Sequence, residues 1–378
     1  MINHNKLQIA VTPYPTHGGN SHAIAEAYGI DPDKIVDFSA SINPLSPPGC
    51  LSQLLLETPG LLQKYPDPHC SIITERISNT TGVPKDWIRV TNGSTEMIYL
   101  LPHLINENQE VAIIDPCFSE YEKSFMGFGI QTHSIPLSAS KGFQANPISL
   151  FSKLDIIQQL GAIVLGNPAS PTGKLYGELL APLQEYCEER DIILIIDEAF
   201  IDFSSTQNSA WNLINKKTNL ILIRSLTKFY SIPGLRIGYG ILHPEKIRQI
   251  APRQYPWSVN SLAQTVGAEV ILDKAFQEKT RSWNQNEIEF MSKALNTISA
   301  IEVFPSAANF LLFRIWDDTK PMDLYQYLLS QSLLIRNCGN FKGLDETFFR
   351  ISLKERKENQ RLADSICYYF SSYKNSQE

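Results

Sequence analysis

Apolar runs alternate with segments of helical spacing through the middle of the chain. Runs rich in Ile, Leu and Val predict buried strands at residues 87–92, 110–115, 161–167, 191–200, 219–225 and 235–242. Between two of these runs, the segment GELLAPLQEYCEER (177–190) repeats its apolar positions at the spacing of one helix face. Buried strands that alternate with helices are typical of a mostly parallel sheet with helices packed on it. We therefore predict an α/β fold for this large middle part.

The pattern changes after about residue 258. A long helical stretch, residues 260–299, leads to short apolar runs that predict a small α+β domain, at residues 309–315, 333–337 and 348–353. The first part of the chain is rich in Pro, Gly and Ser and holds one short helix candidate, residues 21–30. We predict three parts: an N-terminal arm and small-domain segment (1–47), a large α/β domain (48–258) and a small C-terminal α+β domain (259–378).

Composition excludes several classes of protein. The 378 residues carry 39 acidic and 33 basic side chains, so no basic surface for nucleic acid is expected. The six cysteines are scattered and never form a CxxC pair, which favours free thiols in a reducing compartment and no metal site. No apolar run approaches the roughly 20 residues that span a bilayer, and the start of the chain has no basic region followed by an apolar core. We therefore expect a cytoplasmic protein without a membrane partner.

Polar or glycine-rich sequence follows four of the predicted strands. Ligands of parallel α/β sheets bind beyond the carboxyl ends of the strands, so these positions are the ones to inspect. Gly93, Ser94 and Thr95 open a helix directly after the first strand, where free backbone N–H groups suit a phosphate, although an ordinary helix cap explains the same residues. Ser170 lies between two prolines after the third strand, and such a segment is more often a structural turn than a site.

The two remaining positions carry charges at the ends of apolar runs. Asp197 is either a strand-end cap or a carboxylate placed for a cationic partner. Lys228 follows the run 219–225 closely, and a lysine there is costly unless it is exposed, paired or chemically consumed. Ser225 and Arg236 lie on the same strand and its following loop. We therefore expect the lysine and the aspartate to reach one crevice.

Together these residues are the parts that hold pyridoxal 5′-phosphate (PLP). A lysine amine bonds to the PLP aldehyde, an aspartate keeps the pyridine nitrogen protonated, and serine, arginine and helix amides bind the phosphate. Each motif is weak alone, but the ordered set is specific. A sugar- or nucleotide-binding α/β protein would leave Lys228 without a reason to follow a buried strand. A visible absorbance band of the purified protein separates the two readings.

The ordered set resembles the aminotransferase class I/II family of fold-type I PLP enzymes. Within that family it is similar to the branch that holds histidinol-phosphate aminotransferase and L-threonine-O-3-phosphate decarboxylase. The likeness runs from HGGN (17–20) to about Arg350. It leans towards the decarboxylase in HGGNSHAIAEAYGI, VDFSASINPLSPP, DEAFIDF, RSLTKFYSIPGLRIGY and PWSVNSLAQ. The resemblance implies the PLP-dependent transferase-like fold, with a large domain and a smaller one.

Residue roles follow from the resemblance, position by position. It implies that Lys228 is the Schiff-base lysine, that Asp197 pairs with the pyridinium nitrogen and that Phe118 stacks on the ring. The cofactor phosphate would be bound by the helix start and its neighbours, Gly93, Ser94, Thr95, Ser225 and Arg236. Tyr65 would reach the cofactor phosphate of a neighbouring subunit, which implies a homodimer. The substrate would be bound by His17, Gly18, Ser41, Arg336 and Arg350.

Three positions depart from the aminotransferase pattern. Phe200 replaces a tyrosine whose hydroxyl reaches the cofactor O3′, and phenylalanine matches the decarboxylase. Ser170 and Ser41 stand where the family usually has asparagine. Ser170 can still donate one hydrogen bond towards O3′, but a hydroxyl lacks the geometry of an amide.

The resemblance implies decarboxylation of O-phospho-L-threonine to (R)-1-amino-2-propanol phosphate in cobalamin biosynthesis. The alternative is histidinol-phosphate aminotransferase, which exchanges an amino group with 2-oxoglutarate. Both reactions use the same lysine and aspartate, and the orientation of the substrate decides which bond breaks. Two arginines suit a small phosphorylated amino acid or amine, because guanidinium groups bind carboxylate and phosphate in bidentate fashion.

Overall fold

A computed structural model of the protein describes residues 18–56, 58–214 and 219–373. Within these ranges the strands are β1 Val36–Asp37, β2 Ile88–Thr91, β3 Glu110–Asp115, β4 Thr132–Pro136, β5 Leu160–Gly166, β6 Ile193–Asp197, β7 Leu220–Ser225, β8 Gly238–Ile241, β9 Ile301–Phe304, β10 Phe310–Ile315, β11 Leu333–Leu334, β12 Arg336–Asn337 and β13 Phe348–Ser352. The α-helices are α1 Ser21–Tyr28, α2 Cys50–Leu56, α3 Thr58–Leu62, α4 Ser71–Thr81, α5 Gly93–Leu100, α6 Glu120–Gly127, α7 Pro147–Leu154, α8 Gly177–Glu189, α9 Pro244–Ile250, α10 Ser261–Val270, α11 Lys274–Leu295, α12 Pro321–Ser330 and α13 Arg356–Tyr368.

The largest sheet has the strand order β2-β8-β7-β6-β5-β3-β4. The strands from β7 to β4 run parallel to one another, whereas β8 is antiparallel to both of its neighbours. The predicted mostly parallel α/β sheet is therefore confirmed. The strand β4 was not among the predicted strands, because THSIP lies at the sheet edge and buries only Ile135. A strand with one buried side chain leaves no apolar run in the sequence.

Helices cover both faces of this sheet, because alternate residues of its central strands point to opposite sides. In β3, Val111 and Ile113 share a buried cluster with residues of α5, α6 and α9. Ala112 and Ile114 belong instead to the cluster that includes residues of α4, α7, α8 and α10. Strands buried on both faces need apolar residues at nearly every position, which explains the continuous apolar runs in the sequence.

A second sheet has the antiparallel order β12-β13-β10-β9 and a buried cluster that includes residues of α11, α12 and α13. The predicted single strand 333–337 is wrong, because Ile335 divides it. Its first half, β11, pairs in parallel with β1, and its second half, β12, pairs with β13. Residues near the start of the chain therefore join the C-terminal part. The domain boundaries at residues 47 and 258 stay a prediction.

The predicted long helical stretch 260–299 is likewise divided in two. Asp273 ends the connection between α10 and α11, and its carboxylate accepts the Phe276 N–H at 2.9 Å as the cap of α11. Among the described residues, no helix has the length and apolar character needed to cross a membrane. The same residues hold no group of three or more side chains placed to bind a metal ion.

A buried ion pair joins the carboxyl ends of β6 and β7. Glu198 is fully buried and accepts hydrogen bonds from Arg224 Nη1 at 2.8 Å, Ser209 Oγ at 2.6 Å and the Ala210 N–H at 2.6 Å. Arg224 Nη2 also donates to Asp202 Oδ1 at 2.6 Å. Burial raises the pKa of Glu198, and the charge of Arg224 opposes that rise. The network holds together the two strand ends from which Asp197 and Ser225 project.

We expect Arg224→Ala to destabilise the protein by about 3–5 kcal/mol, because it leaves the buried carboxylate of Glu198 without its counter-charge. Urea unfolding of the apoprotein, followed by circular dichroism, measures the change. The matched control is Lys85→Ala, which breaks the exposed Lys85–Glu75 pair and should not move the unfolding midpoint. If Arg224→Ala lowered the free energy of unfolding by no more than Lys85→Ala does, the stabilising role of the buried ion pair would be contradicted.

Candidate active site

A cavity of about 640 Å³ lies at the carboxyl ends of the parallel strands. The two charged residues predicted to share a crevice, Asp197 and Lys228, both line it. The structure brings most of the other predicted site residues to the same cavity, namely Gly18, Ser41, Ser94, Thr95, Phe118, Ser170, Phe200, Arg336 and Arg350. Their individual roles stay predictions. Their convergence identifies this cavity as the candidate active site.

The start of α5 has no side chain at its first position and packs against an arginine. Gly93 has a φ of 72°, and a Cβ at this residue would lie 2.5 Å from Arg236 Nη2. The side chain of Asn92 makes no capping hydrogen bond within the described structure, so the ordinary helix cap considered from the sequence is not formed there. The next two residues, Ser94 and Thr95, line the cavity. The Glu96 carboxylate accepts the Asn92 N–H at 2.7 Å, and the helix start at Gly93 beside a guanidinium group is suited to an anion.

Asp197 is buried at the end of β6 and accepts two hydrogen bonds. Tyr121 Oη donates to Oδ2 at 2.7 Å, and the Ala199 N–H donates to Oδ1 at 2.8 Å. Burial raises the pKa of Asp197, while the charge of Lys228 and both hydrogen bonds oppose that rise. The carboxylate is thus held in one orientation next to a cation.

Lys228 lies in the turn after β7, where neighbouring residues fix its backbone. Its carbonyl accepts the Asn43 N–H at 3.0 Å, and Asn43 Nδ2 donates to the Phe229 carbonyl at 2.7 Å. The Nζ atom lies 4.9 Å from the centroid of the Phe200 ring. Burial lowers the pKa of Lys228, the charge of Asp197 opposes this, and the nearby guanidinium groups lower it further. The amine is therefore neutral at lower pH than an ordinary lysine.

Two buried arginines enter the cavity from the second sheet. Arg350 donates from Nη1 to Ser170 Oγ at 2.9 Å and from Nη2 to the Ser39 carbonyl at 2.8 Å. Arg336 donates to the Asn337 carbonyl at 2.5 Å and to Asn340 Oδ1 at 2.6 Å. Burial lowers the pKa of Arg350 to about 10 and also lowers that of Arg336. Both side chains offer fixed donors to an anionic ligand.

The N-terminal segment closes one side of the cavity. Gly18 approaches the chain so closely that a Cβ there would lie 2.1 Å from the Ser39 carbonyl oxygen. The Gly19 N–H donates to Ser39 Oγ at 3.0 Å. Ser41 Oγ lies 2.9 Å from Ser352 Oγ, so its hydroxyl is engaged with the second sheet. His17, predicted to bind substrate, lies outside the described residues.

Four predicted residues do not line the cavity within this chain, namely Gly93, Ser225, Arg236 and Tyr65. Ser225 is buried behind it, and its hydroxyl lies 2.8 Å from Thr227 Oγ1. Arg236 contacts the start of α5, as described above. Tyr65 is 80 % exposed and stacks on Trp257 with the ring centroids 4.7 Å apart. An exposed aromatic ring of this kind is accessible to a second molecule.

Several cavity residues were missed in the sequence. Tyr121, Glu120 and Lys123 all lie at the start of α6, shortly after β3. Lys123 Nζ lies 2.7 Å from Glu120 Oε1. Polar residues that follow a parallel strand face the ligand, and these three follow β3 as the predicted site residues follow their own strands. Phe341 gave no comparable signal, because it lies in a loop of the C-terminal part.

We expect the pKa of Lys228 in the apoprotein to be lower than that of N-acetyl-lysine, because burial disfavours its charged form. Competitive labelling with an amine-selective reagent over a range of pH, read by mass spectrometry, measures it. Asp197→Asn should lower the pKa further, because it removes the negative charge that stabilises the ammonium group. An unchanged pKa of Lys228 in Asp197→Asn would show that the two side chains are not coupled.

The sequence and the structure of the chain are both similar to those of known proteins. The threonine-phosphate decarboxylase of Salmonella typhimurium is 33% identical over 352 residues, which cover 93% of this chain and 95% of that protein. The histidinol-phosphate aminotransferase of Methanococcus aeolicus is 28% identical over 368 residues, covering 96% and 98%. The crystal structure of L-threonine-O-3-phosphate decarboxylase from Porphyromonas gingivalis matches with a TM-score of 0.77 and 26% identity, covering 89% of this chain and 99% of that one.

The sequence profile described as "Aminotransferase class I and II" matches residues 34–366, which is most of the chain and includes every described cavity residue except Gly18. The family and the fold expected from the resemblance are therefore confirmed. The chain belongs to the class I and II aminotransferase family.

Proposed function

We propose that this enzyme uses PLP to decarboxylate O-phospho-L-threonine to (R)-1-amino-2-propanol phosphate. The observation that carries the proposal is the meeting of Lys228, Asp197 and two buried arginines in one cavity. The identity of 33% to a threonine-phosphate decarboxylase, over nearly the full length of both chains, supports the reaction. A role in cobalamin biosynthesis is what the resemblance implies for such an enzyme.

The side chains present fit PLP. The absent Cβ of Gly93 leaves room at the helix N-terminus beside Arg236, and Ser94 and Thr95 border the same space. Arg350 Nε is buried and has no hydrogen-bond partner among the described residues, so this guanidinium group retains an unused donor. When bound, PLP supplies an electron-accepting ring that weakens the bonds at the substrate carbon next to the amino nitrogen. Lys228 would hold its aldehyde carbon, and Asp197 would hold the proton at its ring nitrogen.

The arginines would determine which bond of the substrate is weakened. O-Phospho-L-threonine carries a carboxylate and a phosphate, and the buried guanidinium groups of Arg336 and Arg350 can each bind one of them. Binding at two points fixes the orientation of the substrate, and orientation selects the bond that breaks. With the carboxylate held for loss as carbon dioxide, Lys228 Nζ would deliver the proton that replaces it at Cα.

Phe200 and Ser170 give the cavity a different set of donors from the aminotransferase pattern. The Phe200 ring packs edge-on against Phe310, with centroids 5.0 Å apart, and brings no hydroxyl near Lys228. Ser170 Oγ accepts a hydrogen bond from Arg350, which leaves its own proton available to donate towards the cofactor O3′. In this proposal the lysine amine has no phenolic neighbour at position 200 and acts alone on the proton at Cα.

Histidinol-phosphate aminotransferase is the second candidate. The likeness to that enzyme from Methanococcus aeolicus, 28% identical over 96% of this chain, favours it as an alternative. Transamination would use Lys228 and Asp197 in the same positions, but Lys228 would remove the proton from Cα instead of adding one. The two reactions therefore differ in substrate orientation, and a direct assay separates them.

We also propose that the protein acts as a homodimer. The surface around Tyr65 exposes large apolar side chains, among them Leu56, Leu62, Ile72 and Tyr255, each more than two-thirds exposed. Leu56, Leu62 and Ile72 lie on α2, α3 and α4, which all pack on α10, and Tyr255 lies shortly before α10 in the chain, so these residues belong to one region of the surface. An exposed apolar region is typical of a protein interface. A second copy that covers it would bring Tyr65 to the cofactor phosphate of its partner.

The first test compares the two substrates. We expect incubation with O-phospho-L-threonine to release carbon dioxide and 1-amino-2-propanol phosphate, with no oxo acid required. L-Histidinol phosphate with 2-oxoglutarate should give no glutamate. Mass spectrometry of the products and trapping of labelled carbon dioxide measure both reactions, and Lys228→Ala is the blank. Formation of glutamate without release of carbon dioxide would establish the aminotransferase instead.

The second test concerns the shared site. Lys228→Ala alone should abolish turnover, and Tyr65→Ala alone should weaken PLP binding and lower the rate. Hybrid dimers of the two variants contain one site with both side chains intact, so co-expression should restore activity to about one quarter of the wild-type value. Steady-state rates at equal protein concentration measure the recovery. If the mixture is no more active than the sum of its parts, Tyr65 does not act across an interface.

A further inference from the structure

A second, smaller cavity lies directly behind the main one. It has a volume of about 110 Å³, and the rings of Phe118 and Phe341 line both cavities. The two aromatic rings are therefore the wall between them. The remaining lining of the smaller cavity is mixed: Ile113 and Cys117 contribute to it, and Asp115, Thr132 and Ser134 bring carboxylate and hydroxyl oxygens.

Phe341 is held in this wall from several directions. Its ring lies 5.3 Å from Arg336 Cζ, and its N–H donates to the Cys338 carbonyl at 3.0 Å. The next residue, Lys342, forms an ion pair with Glu122 on α6. The loop is thus anchored both to the arginine beneath it and to the helix beside the large sheet. These contacts hold the Phe341 ring between the two cavities.

The two rings of the wall differ in what else they do. Phe118 packs edge-on against Tyr121, with centroids 5.9 Å apart, and Tyr121 in turn holds Asp197. A change at Phe118 would disturb the cofactor site itself. Phe341 belongs to the C-terminal loop and touches the guanidinium group proposed to bind the substrate. Of the two rings, Phe341 is the one that limits the space next to a bound substrate.

We propose that Phe341 determines substrate size by closing the small cavity to the substrate. With the ring in place, a substrate beside Arg336 cannot extend into that cavity. A phosphorylated amine with an imidazole side chain needs more room than one whose side chain is a methyl group. The volume of the small cavity, about 110 Å³, is several times the roughly 30 Å³ that one water molecule occupies in the liquid. A five-membered ring can therefore enter it. Carboxylate and hydroxyl oxygens there would accept its N–H.

The test compares the wild type with Phe341→Ala by calorimetric titration of the PLP-loaded enzyme, without any oxo acid. L-Histidinol phosphate is the large ligand. Inorganic phosphate is the reference, because it needs the cations but no space behind the ring. We expect Phe341→Ala to bind histidinol phosphate roughly tenfold more tightly relative to phosphate, in the range that a cavity of this size gives for small side chains. Phe341→Leu should show a smaller gain.

The matched control is Phe128→Ala, which truncates a surface phenylalanine that contacts His103 and lines neither cavity. It should leave the affinity ratio unchanged. An unchanged affinity ratio in Phe341→Ala would overturn the proposal. A parallel loss of affinity for both ligands would also overturn it, because it would show that the ring only packs against Arg336. If Phe341→Ala does not fold, Phe341→Leu decides the matter by the same ratio.

This inference rests on the proposed function for its choice of a small substrate, but the two can fail separately. Release of carbon dioxide from O-phospho-L-threonine tests the proposed function and requires no information about the wall. The affinity ratio tests the wall and requires no turnover. Tight binding of histidinol phosphate by the wild type, equal to that of Phe341→Ala, would remove the wall as a barrier even in an active decarboxylase.

Discussion

Lys228 and Asp197 place two opposite charges in one buried cavity, and the rest of the structure depends on this constraint. Burial disfavours both charges, so it lowers the pKa of the lysine and raises that of the aspartate, while each charge opposes the shift of the other. Such a pair is retained only where the chain fixes both side chains closely. The end of β6, the turn after β7 and the hydrogen bonds from Tyr121 and Asn43 provide that fixation.

Because side chains alternate along a strand, the cavity residues and the residues that stabilise the strand ends lie on opposite sides. Asp197 projects into the cavity, and the adjacent Glu198 projects to the other side of the strand, where Arg224 neutralises it. On β7, Arg224 and Ser225 likewise point to opposite sides of the strand, but Ser225 is buried next to Thr227 and does not reach the cavity. The charges that hold the strand ends together are therefore kept out of the cavity. The two arginines that we propose bind the substrate come from elsewhere, because Arg336 and Arg350 belong to the second sheet.

The sequence predicted the features that depend on local pattern. The central strands bury both faces and so appear as apolar runs, and Asp197 and Lys228 stand out as charges at the ends of such runs. Features set by pairing between distant segments were not predicted. The division of residues 333–337 follows from two different strand partners. Phe341 is positioned by its contact with Arg336 and by the ion pair of the next residue, Lys342, with Glu122, and no pattern in the sequence predicts either contact.

The pairing of β1 with β11 has a consequence for synthesis of the chain. Val36 is translated early, but its partner Leu333 follows only after the whole large sheet has been made. The large sheet can assemble on the ribosome before β1 has its partner β11, because domains generally fold as units during translation. The closing wall around Ser39 and the two arginines is therefore completed last. A nascent chain would therefore have Asp197 and Lys228 in place before the two arginines that we propose bind the substrate.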